Sequence, residues 1–550
     1  MGGGLLNLIA TGNQNVILNG NPKKTFFRST YSKYTNFGLQ KFRIDFTGLR
    51  NFKVKEESQF NFKIPRYGDL LLDTYLVVTL PNIWSPIYRN YTIVSDTETG
   101  KWVPYEFKWI PDLGTQMIKE ITITAGGATL QQYSGNALTA LYKRDLTDTE
   151  LCKHNEMIGN ITELNDPANY GIRNNQYPNA VYDIDYLPVE CEPSIRSRNI
   201  YIPIRSWFSG SSKQGFPLAS MQYNELNINI TLKPVNELYV IKEVDSSLNY
   251  MNYVRPSPNN DNHEFYRFLV SPPEHDKEDY TYKLKYTDKR TDWNSDIHLI
   301  STYAFLSDEE NRYFAINSHD YLIKDIYEYT FNGLRGSSKL NVPTTGLVSS
   351  WTFFFRRDDV KDRNQWSNYT NWSYDTLPVD VKALENKVHS SGGLTLDFST
   401  SNIYEAGQFQ YENDKNILVS MGILCDGKYR ENVFESGIFQ YLENYLKTRG
   451  SCKDGLYTYN FCIDSDPKNF QPSGAINFSK FKNIELEIVT IEPPQNPNFE
   501  FKVTCEDGEV TSIVKTDRNM FLYTYDMHVI EERYNVVSFM SGNCGLKFAR

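Results

Sequence analysis

Three adjacent residues, Ser318-His319-Asp320, carry the side-chain types of a nucleophile, a base and an orienting acid. That chemistry needs the three to converge from separate parts of a fold, and consecutive residues cannot all point at one another, so they read as ordinary strand or loop residues. The seven histidines (His154, His263, His275, His298, His319, His389, His528) never stand four apart, the spacing of helix-borne metal ligands. The seven cysteines (Cys152, Cys191, Cys425, Cys452, Cys462, Cys505, Cys544) are odd in number, scattered and without a C-x-x-C pair. Reduced thiols are expected, not a disulfide framework or a zinc site. Asp183 and Asp185 flank Ile184 and would share a strand face, a spacing able to hold a cation or supply an acid and a base; two solvated carboxylates are the simpler reading. Trp351, Phe353, Phe354, Phe355, Arg356 and Arg357 mix aromatic and basic groups as base- or sugar-stacking surfaces do, and a buried strand running into a basic loop is expected there. Gly2-Gly3-Gly4 follows no strand and opens no helix, so it reads as slack chain, not a phosphate cradle. No Walker loop, dinucleotide fingerprint, zinc-protease helix, nucleophile elbow or calcium loop is present. The expectation is a protein with no catalytic residue, no cofactor and no metal.

The elements that would position such residues are those of a large β protein. A chain of 550 residues exceeds the size at which one hydrophobic core stops growing, so at least two domains are expected. A net charge of −10 and a pI near 5.4 disfavour direct contact with nucleic acid, whose phosphates are bound by Lys and Arg. The apolar run Leu5 to Ala10 is too short for a membrane span and lacks the basic flank of a secretory signal, which predicts a soluble chain made in the cytosol. Leu6 stands where myristoylation at Gly2 would require Ser or Thr. Aromatic residues make up 14% of the chain, a composition suited to strands and to contact surfaces.

Period-two alternation predicts half-buried strands at Phe42, Ile44 and Phe46; at Phe60, Phe62 and Ile64; at Leu226, Ile228 and Ile230; and at Ile484, Leu486 and Ile488. Glu506-Asp507-Gly508 predicts a hairpin, because Asp-Gly tolerates positive φ. Helical signals are short: Ser307 with Glu310, and Thr147 with Glu150, form capping boxes that open helices between strands. The stretch 236–292 gathers Asn, Asp, Pro and charge and reads as a linker with an elaborated surface loop. Many short strands with helices confined to loops give an all-β fold of two antiparallel sandwiches in tandem, each part large enough for one eight-stranded jelly roll. The expected divisions are an N-terminal arm over 1–36, a first roll over 37–235, the linker and insertion over 236–292, and a second roll over 293–550. Sequons occur at Asn90, Asn160, Asn229, Asn368, Asn371 and Asn477; only the neighbours Asn368 and Asn371, in a polar loop expected to be exposed, are candidates for glycosylation.

One segment is a docking element by composition. Thr25 to Phe37, after the turn Gly20-Asn21-Pro22, places Phe26, Phe27, Tyr31, Tyr34, Asn36 and Phe37 among basic and hydroxyl residues. It resembles the N-terminal signature of the major capsid proteins of nucleocytoplasmic large DNA viruses, the phycodnavirus, iridovirus and mimivirus relatives. Further segments are similar to that family in order: Tyr201-Ile202-Pro203-Ile204 with Trp207-Phe208, then Gly215-Phe216-Pro217-Leu218, and Gln222-Tyr223-Asn224-Glu225-Leu226, which resemble the close of its first jelly roll. Ala304 to Glu310, followed by Ser318 to Ile323, resembles the opening of the second. Gln471-Pro472-Ser473-Gly474-Ala475-Ile476-Asn477-Phe478-Ser479 resembles the family's most specific motif, and Tyr534-Asn535-Val536 with Met540 to Leu546, including Ser541 and Gly542, its closing strand. Asn224 stands where relatives commonly carry His, the loop around Gly215 is shorter, and 236–292 has no counterpart.

The resemblance implies a structural protein, not an enzyme. Three copies would form a pseudo-hexameric capsomer, and trimers would tile an icosahedral shell through repeated contacts. It implies a homotrimer with trimer–trimer contacts, minor capsid proteins as further partners, an internal membrane layer met indirectly, and no direct nucleic acid. The product would be made and assembled in host cytoplasm and end in the virion, with the arm at the capsomer base. It also implies an unused sequon at Asn477, which sits in the core motif. Two alternatives are a glycan-binding or carbohydrate-active β-sandwich, suggested by the aromatic clusters and Asp pairs, and a minor capsid protein of the same fold.

Overall fold

The computed structural model describes residues 20–48, 51–94, 97–178, 192–242, 253–258, 260–271, 288–375, 414–469, 471–493 and 523–548, with short pieces elsewhere. Among those pieces, strands Lys502–Glu506 and Glu509–Val514 pair antiparallel around the predicted Asp-Gly turn. Asp183 and Asp185 lie outside the described residues, as do His275 and Cys191.

Sixteen strands build two sandwiches. The first uses β1 (Gly38–Ile44), β2 (Ser58–Lys63), β3 (Leu70–Leu80), β4 (Ile118–Ala125), β5 (Ala128–Ser134), β6 (Arg198–Pro203), β7 (Leu226–Leu232) and β8 (Ile297–Phe305). One sheet runs β1-β8-β3-β6 and the facing sheet β2-β7-β4-β5, every pairing antiparallel. The second uses β9 (His319–Leu334), β10 (Ser337–Asn341), β11 (Leu347–Arg357), β12 (Leu418–Cys425), β13 (Lys428–Glu435), β14 (Leu456–Asn460), β15 (Ile484–Thr490) and β16 (Tyr525–Met540). Its sheets run β9-β16-β11-β14 and β10-β15-β12-β13, the first pattern with each number raised by eight. This is the double jelly roll.

Alternation produces these strands where one face meets solvent. In β2, Phe60 and Phe62 point inward and Gln59 and Asn61 outward; β7 and β15 repeat the pattern with Leu226, Ile228 and Ile230, and with Ile484, Leu486 and Ile488. Strand β11 has no alternation because both its faces are covered, and it is buried from Val348 to Arg357. The expected basic loop after it is therefore corrected: Arg356 and Arg357 are still strand residues and are buried.

The domain boundary is also corrected. Strand β8 lies between β1 and β3, so Ile297–Phe305 closes the first roll and the break falls after Phe305, not between 292 and 293. A jelly roll's last strand returns beside its first, which makes 236–292 an excursion between the seventh and eighth strands, not a linker between domains. Part of that excursion is packed. Tyr239–Lys242 pairs with Phe107–Trp109, and Phe265 and Phe268 are buried against them.

Helices fill connections. After β5 come α1 (Gly135–Asp145), whose Ala137 N–H donates to Ser134 Oγ at 3.2 Å, and α2 (Asp148–Ile158), where Glu150 accepts from the Thr147 N–H at 3.2 Å as its capping box predicts. Between the rolls lies α3 (Asp308–Ile316); Ser307 starts it without a side-chain cap, and Asp308, Glu309 and Glu310 face its positive end. One apolar core fills the first roll and continues across the junction to Ile323, Ile326, Phe354, Ile530 and Phe539, while a second fills the interior of the second roll.

Candidate assembly surfaces

The predicted motif residues fall into three places. Two segments distant in sequence meet. Ser541 and Gly542, at φ 53° and 78°, form the tight turn from β16 into β17 (Asn543–Leu546), the left-handed pair that a two-residue hairpin requires. The Gly542 carbonyl accepts from both the Gln222 N–H (3.1 Å) and the Tyr223 N–H (3.2 Å). A Cβ at Gly542 would stand 2.8 Å from the Tyr223 ring, so only glycine allows this approach. Arg66 clamps the same segment by donating to the carbonyls of Gln222 and Asn224, the latter at 2.8 Å. Tyr223 itself remains 75% exposed above the turn.

The segment 471–478 locks the end of the second sandwich. Ser473 Oγ donates to the Asp464 carbonyl (2.6 Å) and accepts from its N–H (3.1 Å), while Gly474 takes φ 123°. Gln471 and Pro472 are exposed beside it. Asn477 pairs with Leu347 of β11, and its Oδ1 accepts from the Ser479 N–H at 3.1 Å. Phe478 is fully buried, stacked on Trp351 at 5.2 Å and edge-on to Phe461 at 5.3 Å.

The described arm residues 20–37 contain no strand and are exposed throughout. Phe26, Phe27, Tyr31 and Tyr34 are each at least 84% exposed, Phe37 is 63% exposed, and Asn36 lies in the same open stretch. Soluble folds rarely leave so many large apolar groups together without a partner.

Residues singled out for chemistry disperse. His319 Nε2 donates to the Phe314 carbonyl at 3.3 Å and the imidazole packs on the Phe314 ring, whereas Asp320 turns toward Lys547. Among the described residues no three His, Cys, Asp or Glu side chains gather as a metal site would require. Cys152, Cys425, Cys452, Cys462 and Cys544 are free thiols, and burial pushes those of Cys452 and Cys544 up to about 12.

The expected exposure of Asn368 and Asn371 is corrected. Both are buried. Asn368 Nδ2 donates to the Trp372 carbonyl (2.9 Å) and its Oδ1 accepts from the Thr370 N–H (3.0 Å). Asn371 Oδ1 accepts from the hydroxyls of Tyr523 and Tyr525, each at 2.7 Å, and Nδ2 donates to the Asp414 carbonyl. Both amides are thus bonded inside the fold, Asn368 within its own loop and Asn371 to residues distant in sequence.

Sequence reasoning missed the polar centre of the junction. On α1, Arg144 is fully buried and holds Asp145 at 2.7 Å and Glu532 of β16 at 2.8 Å; Arg205 holds the same two carboxylates at 2.7 and 3.4 Å. Arg144 also donates to Thr352 of β11 at 2.9 Å. Burial alone would raise the Glu532 carboxyl, but Arg144, Lys324 and Arg205 outweigh it and hold its pKa at about 2. A cleft of about 260 Å³ opens beside this cluster, and on its wall Arg205 is paired with Asp145 and Glu532.

Comparison with known proteins agrees with these two sandwiches. Residues 25–267 match the model described as major capsid protein N-terminus, and residues 310–545 match that of the large eukaryotic DNA virus major capsid protein. The chain belongs to this capsid protein family. The major capsid protein of Phaeocystis pouchetii virus is 24% identical over the whole of both chains, and that of Chrysochromulina ericina virus is 28% identical over 89% of this chain and 94% of the relative. Among solved structures, the PBCV-1 virus capsid (TM-score 0.58, 16% identity, 96% of this chain and 100% of that one) and the Faustovirus major capsid protein (TM-score 0.59, 12% identity, 96% and 94%) share the fold. This capsid protein is thus a structural virion component.

Proposed function

We propose that this capsid protein trimerises into pseudo-hexameric capsomers that tile the icosahedral shell of a large DNA virus. The observation that carries this reading is the duplication: one chain presents two sandwiches of identical strand order, joined through a shared apolar core. Three such chains supply six near-equivalent wedges, so a block with threefold symmetry gains a near-hexagonal outline suited to flat facets. The arm over 1–36, whose described aromatics Phe26, Phe27, Tyr31 and Tyr34 are uncovered, then docks at the base of the block, against neighbouring copies or minor capsid proteins. With a charge of −10, the shell meets an internal membrane layer only indirectly and nucleic acid not at all. Assembly takes place in host cytoplasm, and the chain performs no catalysis.

Size-exclusion chromatography with light scattering tests the reading. A particle of three times 63.8 kDa, with a hexagonal silhouette in negative stain, is expected. A monomer at all concentrations that retains glycan binding overturns it in favour of a lectin-like sandwich.

A further inference from the structure

The junction between the rolls holds a second set of charged groups, and this one is not neutral. Lys233 leaves the first roll directly after β7, and Arg356 stands at the end of β11 in the second. Both approach one indole: Lys233 Nζ lies 4.8 Å from the centre of the Trp366 ring, and the Arg356 guanidinium carbon 6.0 Å.

Arg356 is only 7% exposed, yet every partner it has is uncharged. Its Nη1 donates to the Asn136 side-chain oxygen and to the Trp366 carbonyl, each at 3.3 Å, and Nη2 donates to His528 Nε2 at 2.8 Å. A guanidinium can only donate, so His528 is neutral there and carries its proton on Nδ1, directed at Thr330 Oγ1 3.3 Å away. Among the described residues no carboxylate stands within ion-pair distance of Arg356 or Lys233. The carboxylates that face them are engaged: Glu237 with Arg255 at 3.5 Å, and Asp526 with the Gly333 N–H at 3.1 Å. Burial, and then the charge of Arg356, pull the Lys233 ammonium down to about 7, and burial lowers Arg356 as well.

Other buried arginines of this chain show what such a group holds. Arg144 grips Asp145, and Arg357 grips Asp359, through one edge, with Nε and Nη2 each on a carboxylate oxygen at 2.7 to 3.0 Å. On Arg356 the Nε–H has no partner among the described residues, and Nη2 keeps a second proton beyond the one given to His528. The donors of an oxyanion clamp are present without the oxyanion.

We propose that Arg356 and Lys233 bind one inorganic phosphate ion across the seam between the rolls, held by Arg356 Nε and Nη2 and by Lys233 Nζ. Two unpaired cations match the double charge of hydrogen phosphate, whereas a carboxylate would neutralise one and leave the other buried without a partner. The enclosure of Arg356 admits an ion and not a length of chain. Bound there, the ion joins the end of β7 to the end of β11, as Glu532 joins Arg144 and Arg205 to the second roll.

Titration calorimetry on the full chain tests the site, after dialysis against phosphate-free buffer and with ionic strength held constant by chloride. One orthophosphate per chain is expected, with a melting temperature that rises with its concentration. Lys233→Met and Arg356→Lys should each bind about tenfold or more weakly, the second because one ammonium cannot replace a two-donor edge. Without phosphate, Lys233→Met should melt no lower than wild type, since it removes a desolvated cation that has no ion partner; this keeps the test readable if Arg356→Lys folds poorly. No saturable binding by wild type, equal binding by wild type and Lys233→Met, or a Lys233→Met chain that melts well below wild type without phosphate overturns the site. Adenosine monophosphate binding as tightly as orthophosphate would overturn the assignment to a free ion.

Discussion

Arg144→Met probes the seam between the rolls. The native cluster balances two cations, Arg144 and Arg205, against two anions, Asp145 and Glu532, with Arg144 fully buried and both carboxylates nearly so. Methionine preserves much of the volume but leaves Arg205 alone to serve both carboxylates, one at 2.7 and one at 3.4 Å, and removes the donor to Thr352. An uncompensated buried charge of this kind costs about 3–5 kcal/mol. In equilibrium urea unfolding followed by tryptophan fluorescence, with a slope of ~3 kcal/mol/M, the midpoint should fall by about 1 M or more. Glu532→Gln added to Arg144→Met removes the surplus anion and should recover part of the loss, a positive coupling of about 1 kcal/mol or more. A single-variant cost below about 1 kcal/mol, or a double variant no better than the sum of its parts, would refute the claim that this charge balance holds the rolls in register.

Acid should unfold the protein in two stages. Burial holds His154 at about 4 against an ordinary value of 6.5, so the unfolded chain binds a proton that the folded chain refuses, and stability drops as pH falls from 6.5 toward 4. Glu532, ordinarily 4.5 and held at about 2, adds a second loss between those values, which Glu532→Gln should flatten in melting curves taken across pH. Gly542→Ala forces a Cβ to φ 78° and into the Tyr223 ring, for a loss of about 1–3 kcal/mol in urea unfolding; Tyr223→Ala in the same chain should restore the steric share only. Deleting residues 1–36 should leave the melting temperature within a few degrees of wild type, because the described arm packs on nothing, and should abolish higher assembly seen by light scattering.

How much could be read from the sequence depended on what each strand faces. Strands β2, β7 and β15 were legible because one side is wet and the alternation is therefore strict. The helices at Thr147 and Ser307 were legible from their first turns. Arg356 and Arg357 suggest a loop because charge ordinarily marks the surface, yet Arg357 is neutralised by Asp359 at 2.7 Å and Arg356 donates to His528, so a charged strand end stays inside. At Asn368 and Asn371 the same reason applies: polar loop composition signals solvent only when those groups find no partners inside the fold, and here Asn368 bonds within its loop and Asn371 to Tyr525. The boundary at 292 failed because a linker-like composition lies within the first roll, and only strand pairing shows that the chain returns after it to place β8 beside β1. The resemblance located Gln222, Tyr223, Ser541 and Gly542 separately; their meeting through one carbonyl is a tertiary fact that no local pattern encodes.

A contact between rolls of one chain and a contact between chains need different chemistry. Inside one chain the rolls are tethered and close in any case, so the contact needs chiefly to select one register, and a buried, mutually satisfied set of charges such as Arg144, Asp145, Arg205 and Glu532 serves selection better than strength. Between chains the loss of free translation and rotation must be overcome at the contact itself, and apolar burial is the term that does so. The helical turns that follow β13, over 438–447, accordingly expose a stripe of Tyr441, Leu442, Tyr445 and Leu446, where α1 after β5 carries Arg144 and Asp145. Placing an arginine at Leu446 should therefore weaken association instead of strengthening it, since it replaces an exposed apolar group of the stripe with a charge that must be desolvated on contact. Light scattering on Leu446→Arg, at equal concentration with wild type, checks this, and a variant that assembles as tightly as wild type would show that charge and not apolar burial drives the contact.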